Sequence, residues 1–403
     1  MIINILKIQA MVDPTRLLVG YDRRVSPYYV SRRPVSVNLS IPYLQLTNLI
    51  EDEQSASWLY AISMKWQDPR LIYNPIDYEN DTIYLPAQLL WTPRFSVYNS
   101  METRRLFEGF ENDVEIEPNG VITLRIIQFT KAVCEVQVER LPFDTQYCGL
   151  EITYPLQVDK YYALHGIIDR RADCRGNSEY EMINVTIQNK FYALENFPGD
   201  IIFKEVTFTA QLKRKTFYFI VVIIIPSVLV SSFTVTGILL PAAHEAGSDL
   251  FQVGMSAMLS LSITLSVVAD TIPRTAKVPL IACFVLCCLG TVAAAVALGL
   301  ALIQLKKRSI KRGCLPAIFY VMAFSLPPTK KSEKDNGTKE SLSMRKVISR
   351  LYMISFTLLQ LILIASLVVF FSYSWKTQVR GKRLFTSDIM AEVGNSNVGN
   401  LAS

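Results

Sequence analysis

Polar residues recur at helical spacing within the otherwise apolar segment between positions 247 and 270. Steps of three and four residues place them on one helix face. Two apolar residues, Leu259 and Ile263, lie on the same face. The complete stripe is Asp249, Gln252, Ser256, Leu259, Ile263, Ser266 and Asp270. Copies of such a helix around an axis would form rings: amides and hydroxyls for hydrated ions, an apolar Leu259/Ile263 constriction, and carboxylates at both ends. The serines could instead bond to carbonyls of their own helix, which is compatible with lining a pore.

The chain offers few groups for enzymatic chemistry. It has two histidines in 403 residues, and its sequence contains no Ser/His/Asp or Cys/His arrangement and no glycine-rich phosphate loop. Histidine is the commonest general acid or base. We therefore expect neither an enzyme nor a bound cofactor or metal.

Four apolar runs without a charged residue must position the stripe, at 217–240, 250–269, 278–305 and 351–375. Each reaches the roughly 20 residues that a helix needs to cross about 30 Å of hydrocarbon. The hydrophobic fraction of 50% and charged fraction of 19% are typical of a membrane protein. Buried helices of a large soluble core are the alternative, and they seldom give four such runs in half a chain.

Basic residues indicate the orientation. Segment 306–350 holds twelve Lys/Arg and three Asp/Glu, which predicts a cytoplasmic loop and places both termini outside. The formal charge of +6 lies mostly in this loop, so no nucleic-acid partner is expected. We therefore predict an extracellular domain at 13–216, spans one to three within 217–305, a fourth at 351–375 and an outer tail at 376–403. Residues 1–12 form no full signal sequence, so either the start is incomplete or the first span drives export.

Alternating residues predict an all-β outer domain. The pattern occurs at 35–41, 121–127 and 205–212, and turn formers such as Pro118-Asn119-Gly120 separate the strands. The predicted fold is an extracellular, immunoglobulin-like β-sandwich followed by an all-α four-helix transmembrane domain. Sequons at Asn38, Asn80 and Asn184 fit glycosylation of this domain.

The outer cysteines are Cys134, Cys148 and Cys174. An oxidising exterior favours a Cys134–Cys148 disulfide. Metal binding is the other interpretation, but the spacing is unpaired and His165 is the single histidine of the outer domain. Cys174 has no predicted partner.

The chain closely resembles the Cys-loop family of pentameric ligand-gated ion channels, nearest to its nicotinic acetylcholine receptor-like, cation-selective branch. The matching motifs run in the family's order across most of the chain. They are Leu17-Leu-Val-Gly-Tyr-Asp22, Trp66-Gln-Asp-Pro-Arg-Leu71, Trp91-Thr-Pro93 with Tyr98-Asn99, Leu141-Pro-Phe-Asp-Thr-Gln-Tyr-Cys148 and a first span containing Pro226.

The resemblance implies a small neurotransmitter-like agonist bound between subunits of a homo- or hetero-pentamer. Tyr98, Tyr192 and Phe203 match positions of the family's aromatic box, where a cation gains about 0.5–2 kcal/mol per ring. They could equally be ordinary sheet aromatics. Two usual tryptophan positions hold Pro155 and Ala61, and Ala193-Leu194 occupies the region of the vicinal cysteine pair. A standard cholinergic site is therefore not expected.

The resemblance also assigns gating and selectivity. Leu259 falls on the gate leucine, and carboxylates at Asp249 and Asp270 predict a cation-selective pore. Because the preceding loop is about three residues longer than in the acetylcholine receptors, Glu245 is an alternative inner-ring residue. The coupling positions are Glu51, Pro142, Phe143, Asp144, Arg214 and Pro273. We expect a Glu51–Arg214 pair, although both could be independent solvated charges.

Together these features predict a multi-pass channel subunit in the plasma membrane, including postsynaptic membranes, within the lipid bilayer. Three alternatives remain. The chain could be an accessory subunit without an agonist site, or an anion-selective member. It could also be a four-span adhesion or scaffold protein, a class that has no need of the polar stripe.

Overall fold

The computed structural model describes residues 14–78, 82–106, 112–154, 162–167, 171–194, 201–240, 247–270, 278–312 and 346–372. The chain divides into two compact units. The first comprises Met1–Gln137 and Thr145–Lys215, and the second comprises Val138–Asp144 and Thr216–Ser403. The second unit therefore interrupts the first at the tip of the segment between Cys134 and Cys148.

The described part of the first unit is built from strands. They are β1 (Val35–Ile50), β2 (Ser55–Gln67), β3 (Ile83–Pro86), β4 (Ser96–Val97), β5 (Ser100–Arg105), β6 (Asp113–Ile116), β7 (Val121–Val133), β8 (Thr145–Thr153), β9 (Tyr162–Gly166), β10 (Asp173–Arg175), β11 (Tyr180–Leu194) and β12 (Ile201–Arg214). Short helical segments also occur, at Pro14–Leu18, Pro69–Leu71, Pro75–Tyr78 and Ala87–Leu89. Asp13, which would cap the first of these, lies outside the described residues.

The strands form two sheets, which confirms the predicted β-sandwich. The larger sheet has the order β10-β1-β2-β7-β6-β3, with β9 also paired to β1 and β5 to β7. The smaller sheet has the order β11-β12-β8-β4. The core follows from period-two alternation, because successive strand residues point to opposite faces. In β12, for example, Val206, Phe208, Ala210 and Leu212 are buried.

A buried carboxylate, that of Asp68, contacts the N-terminal segment of the first unit. Asp68 is fully buried and accepts hydrogen bonds from Arg70 Nη2 at 2.7 Å and from the hydroxyl of Tyr21 at 3.0 Å. The Arg70 guanidinium also lies 4.4 Å from the centre of the Tyr21 ring. Gly120 completes this corner with a positive φ of 77°, and a Cβ there would lie 2.6 Å from the backbone oxygen of Asp68. The Trp66–Leu71 motif therefore acts through Asp68 as a structural anchor.

The described part of the second unit contains four long helices: α1 (Phe217–Leu239), α2 (Gly247–Asp270), α3 (Leu280–Arg312) and α4 (Lys346–Ser372). All four are long and apolar enough to cross a membrane. A π-helical turn, Ile220–Ile224, lies just before Pro226 in α1, where a proline cannot continue the normal hydrogen-bond ladder.

Two helix ends differ from the predicted spans. The apolar run of the third span ends at Leu305, whereas α3 continues to Arg312 through basic residues. Likewise α4 begins at Lys346, before the apolar run at 351. Charged residues end the segment that can lie in the hydrocarbon of a bilayer. They do not end the helix, because Lys and Arg are good helix formers. The described part of α3 thus includes residues 306–312 of the predicted cytoplasmic loop.

The helices pack through apolar clusters and one very close approach. Val235 and Ile238 of α1, Val296 of α3 and Tyr352 of α4 belong to one buried cluster. Gly254 of α2 faces Val296, and a Cβ on this glycine would lie 2.2 Å from Val296 Cγ2. Small residues permit such backbone approach between membrane helices.

A polar contact joins α4 to α1. The amide nitrogen of Gln360 donates to the backbone oxygen of Ser232 at 3.2 Å and to the Thr236 hydroxyl at 3.3 Å. An unpaired amide in hydrocarbon would cost several kcal/mol, on the order expected for burying a polar group without a partner. The pairing explains a polar residue within an apolar helix.

Candidate functional site

The stripe of α2 is exposed within its unit. Leu259 and Ile263 have exposed fractions of 64% and 58%, although both are apolar. Gln252, Ser256, Ser266 and Asp270 are also exposed. The side chain of Asp249 lies outside the described residues.

The opposite face of α2 is buried. Gly254, Ala257, Leu261 and Val268 are buried, and the last three share a cluster with residues of α1 and α3. Because each residue advances about 100° around a helix, this face points away from the exposed stripe. The helix therefore packs the face that contains Gly254, Ala257, Leu261 and Val268 against its neighbours and presents the stripe outward.

Hydroxyl groups of α2 bond within the helix and stay exposed. Ser256 donates to the carbonyl of Val253 at 2.9 Å, and Ser262 donates to that of Met258 at 2.8 Å. A hydroxyl that donates its proton keeps two acceptor lone pairs. The Ser256 hydroxyl therefore bonds within its own helix and keeps acceptor capacity on the exposed face.

The predicted disulfide between Cys134 and Cys148 is present, with a Cα–Cα distance of 5.1 Å. Both cysteines are buried in the first unit. The bond closes a short loop whose middle, Val138–Asp144, belongs to the second unit. Cys174, by contrast, is a free cysteine.

The tip of this loop packs among helices within the second unit. The Phe143 ring lies 5.6 Å from the ring of Phe370 in α4, centre to centre. The backbone oxygen of Glu139 accepts from the nitrogen of Leu280, the first residue of α3, at 3.1 Å. Pro142 and Asp144 are buried. Of the predicted coupling positions, Pro273 lies outside the described residues.

Arg214 forms a buried charge network in the first unit. Only 1% of its side chain is exposed, and its Nη2 lies 2.6 Å from Glu51 Oε1. Its Nη1 pairs with Glu179. The Tyr180 hydroxyl donates to the same Glu51 oxygen at 2.8 Å, and the guanidinium lies 4.5 Å from the centre of the Tyr180 ring. The expected Glu51–Arg214 pair is therefore present, with two further partners.

Sequence reasoning missed Glu179 and Tyr180. Tyr180 is the register partner of Arg214 across the β11–β12 pair. The signal that could have found them is this hairpin register, since directly opposite residues on paired strands contact each other. The sequence alone left that register unspecified.

The three predicted aromatic positions all belong to the smaller sheet or its border. Tyr192 of β11 and Phe203 of β12 are register partners. Their side chains lie outside what the structure describes. Tyr98 follows β4, is 76% exposed, and its backbone nitrogen donates to the oxygen of Glu151 at 2.7 Å.

A carboxylate pair that the sequence analysis missed lies beside these positions. Glu205 of β12 is buried and accepts from the Thr207 hydroxyl at 2.7 Å, and its carboxylate is 3.8 Å from Lys190 Nζ. Burial, followed by repulsion from Glu205, raises the pKa of Glu151 on the adjacent strand β8, which Lys190 counteracts. Two carboxylates therefore share one lysine here.

The structure describes two of the three predicted glycosylation positions. Asn38 and Asn184 are exposed, whereas Asn80 lies outside the described residues. Exposure is what attachment of a bulky glycan requires.

Comparison with known proteins identifies the class to which this sandwich and four-helix arrangement belong. Residues 14–216 match the family described as the neurotransmitter-gated ion-channel ligand binding domain. The chain belongs to this family, which is a family of ion channels and not of enzymes, as predicted.

Individual relatives are nicotinic receptor subunits. The chain is 25% identical over 303 residues to acetylcholine receptor subunit alpha-type des-2 of Caenorhabditis elegans, covering 72% of this chain and 55% of the relative. It is 26% identical to acetylcholine receptor subunit gamma of Gallus gallus, covering 66% and 53%. It is 28% identical to neuronal acetylcholine receptor subunit alpha-9 of Homo sapiens, covering 70% and 58%. The chain thus spans a little over half the length of these relatives.

Replacing Arg214 by Gln should strongly destabilise the first unit. The change leaves Glu51, of which 17% is exposed, without its buried cation, and breaking a buried pair typically costs about 3–5 kcal/mol. The measurement is urea unfolding of the full chain in detergent, followed by tryptophan fluorescence. Arg175→Gln is the matched control, because Arg175 pairs with Asp173 on an exposed surface, where an ion pair contributes little to stability. Equal losses for both variants would contradict the prediction.

Replacing Glu151 by Gln should stabilise the first unit near neutral pH. A raised pKa means that the folded protein binds this proton more tightly than the unfolded chain does, so ionisation opposes folding above the ordinary value of 4.5. The gain should be at most about 1 kcal/mol, since the half-buried carboxyl is screened by solvent.

This gain should disappear as the pH falls and the wild-type carboxyl becomes protonated. Thermal unfolding between pH 4 and pH 8 measures it (about the range in which carboxyl groups titrate). Glu181→Gln, an exposed position on β11, is the control. A pH-independent difference would show that charge is not the cause.

Proposed function

We propose that this chain is a subunit of a pentameric, ligand-gated, cation-selective channel of the plasma membrane. The observation that carries the proposal is the exposed stripe of α2, placed opposite the buried face of the same helix. Family membership supports the class of protein, and the stripe supports the conduction pathway.

The chemistry of the stripe favours a pore over a lipid-facing surface. Leu259 and Ile263 alone would suit lipid, but Gln252, Ser256 and Asp270 on the same face would not. Polar and charged residues in membrane spans usually face protein or a water-filled cavity. Closed rotational symmetry places one surface of every subunit around a common axis, so each stripe residue becomes a ring.

The ring charges support cation selectivity. Asp270 ends α2 and is exposed, and Asp249 lies in its first turn. Carboxylates at both ends would concentrate cations and repel anions. Leu259 and Ile263 would form the constriction that loses water in the closed channel.

Two covalent routes support coupling between ligand and pore. Strand β12 ends at Arg214 and α1 starts at Phe217, so movement of the strand reaches the first span within three residues. The disulfide-closed loop supplies the second route, since its ends are held at Cys134 and Cys148 and its tip packs with α3 and α4. We assign coupling to Glu51, Pro142, Phe143, Asp144 and Arg214.

The agonist site is proposed at subunit interfaces, around Tyr98, Tyr192 and Phe203. The carboxylates of Glu151 and Glu205 beside these positions favour a cationic ligand. Ala61 and Pro155, which replace usual tryptophans, instead favour an accessory subunit that adds a pore helix to a heteromeric pentamer.

Recording from cells that express the chain alone tests the proposal. Amines, amino acids and protons are applied in turn, and external sodium is then replaced by an impermeant cation. A ligand-evoked current whose reversal potential follows sodium and potassium supports a homomeric cation channel. Silence that a co-expressed relative rescues supports the accessory role, and a reversal potential that follows chloride overturns cation selectivity.

Replacing Leu259 by Ser should favour the open channel. A hydroxyl at the constriction binds water, so the closed pore becomes harder to keep dry. We expect a ligand-independent current, or a response at ligand concentrations at least about tenfold lower, equal to about 1.4 kcal/mol. Val253→Ser is the control, because Val253 is exposed but lies about 100° around the helix from the stripe. An equal effect at Val253 would contradict the assignment.

A further inference from the structure

A cavity of about 560 Å³ opens in the first unit, lined by residues of the larger sheet and of the segment between β3 and β4. Its floor is apolar and comes from Met64 of β2 and from Leu124 and Ile126 of β7. Its wall includes Arg105 at the end of β5 and, from the segment between β3 and β4, Ala87, Gln88, Thr92, Pro93, Arg94 and Phe95. The volume lies within the range of about 300–1,000 Å³ typical of small-molecule sites.

Two guanidinium groups line this cavity without a counterion. Arg94 and Arg105 are exposed, and neither forms an ion pair with any residue that the structure describes. None of the described lining residues is acidic. A third guanidinium, that of Arg23, donates to the backbone oxygen of Gln88 in the cavity wall. The described lining of the cavity therefore carries positive charge and no negative charge.

Neighbouring cations on the same sheet behave differently. Arg104, next to Arg105, pairs with Glu102. Arg125 of β7 lies 2.9 Å from Glu115, and Lys65 of β2 lies 3.3 Å from Glu117. These three cations are paired, whereas Arg94 and Arg105 in the cavity wall have no ion-pair partner among the described residues.

A buried amide also faces this space. The Gln128 side chain lines the cavity, and only 6% of the residue is exposed. Its Oε1 accepts the hydrogen bond of the Tyr60 hydroxyl at 3.1 Å, so its Nε2 is the group left to donate. No hydrogen bond from this nitrogen to another described residue is present, so it can donate to a molecule in the cavity.

We propose that this cavity binds a small organic carboxylate. The arginines would hold the carboxylate, since the planar guanidinium matches its two oxygens. Gln128 would supply a neutral hydrogen bond, and Met64, Leu124 and Ile126 would contact the apolar body. The site lies on the larger sheet, whereas the proposed agonist site involves the smaller one, so the channel's agonist need not be known to test it.

The test uses the full chain in phosphatidylcholine nanodiscs and the probe 4-fluorobenzoate. Fluorine NMR relaxation of the probe is recorded against protein concentration, with 4-fluorobenzamide as the uncharged analogue and empty nanodiscs as the blank. We expect saturable binding of the benzoate, and binding at least about tenfold weaker for the benzamide, equal to about 1.4 kcal/mol.

Variants then locate the site. The double substitution Arg94→Gln with Arg105→Gln should weaken benzoate binding at least about tenfold, and each single substitution should have an intermediate effect. Arg125→Gln, which removes a paired guanidinium from the outer side of the same sheet, should bind like the wild type. Unchanged tryptophan fluorescence and thermal unfolding would show that the double variant is folded.

Three results would overturn the proposal. Equal binding of benzoate and benzamide would show that charge is not recognised. Wild-type binding by the double variant would place the probe elsewhere. Full displacement by equimolar inorganic phosphate would mean that any anion is held and that the apolar floor contributes nothing.

Discussion

A single buried cation constrains the end of the first unit. Arg214 is almost completely removed from water, and a charge so placed is tolerated only when its partners are arranged around it. Those partners come from different parts of the chain: Glu51 from the turn between β1 and β2, and Glu179 and Tyr180 from the start of β11. One guanidinium therefore fixes three segments at the point where β12 leads into α1.

The same network illustrates how far the sequence can be interpreted without coordinates. Alternation predicted β1, β7 and β12, because period two follows directly from strand geometry. The family resemblance also implied the Glu51–Arg214 pair. Glu179 and Tyr180 could not be found, because their place depends on the register of a hairpin, which the pattern of a single strand does not determine.

In the second unit, too, some features could be predicted from the sequence and others could not. The stripe of α2 was predictable because polar residues at steps of three and four define one face. The ends of α3 and α4 were not, since a charged residue ends the apolar run and leaves the helix intact. The carboxylate pair of Glu151 and Glu205 and the cavity near Arg94 also escaped prediction, because both bring together residues that are distant in sequence.

Gly254 shows how a residue with no side chain determines the chemistry of a surface that it does not touch. Its missing Cβ lets Val296 of α3 sit directly against the backbone of α2, which sets the rotation of α2 about its own axis. A turn of one residue, about 100°, would replace the presented stripe with the neighbouring row that contains Val253, Ser260, Thr264 and Val267. Any larger residue at position 254 would push on Val296 and alter that rotation. The identity of the groups that α2 exposes thus depends on the opposite side of the helix, where position 254 carries a hydrogen atom in place of a side chain.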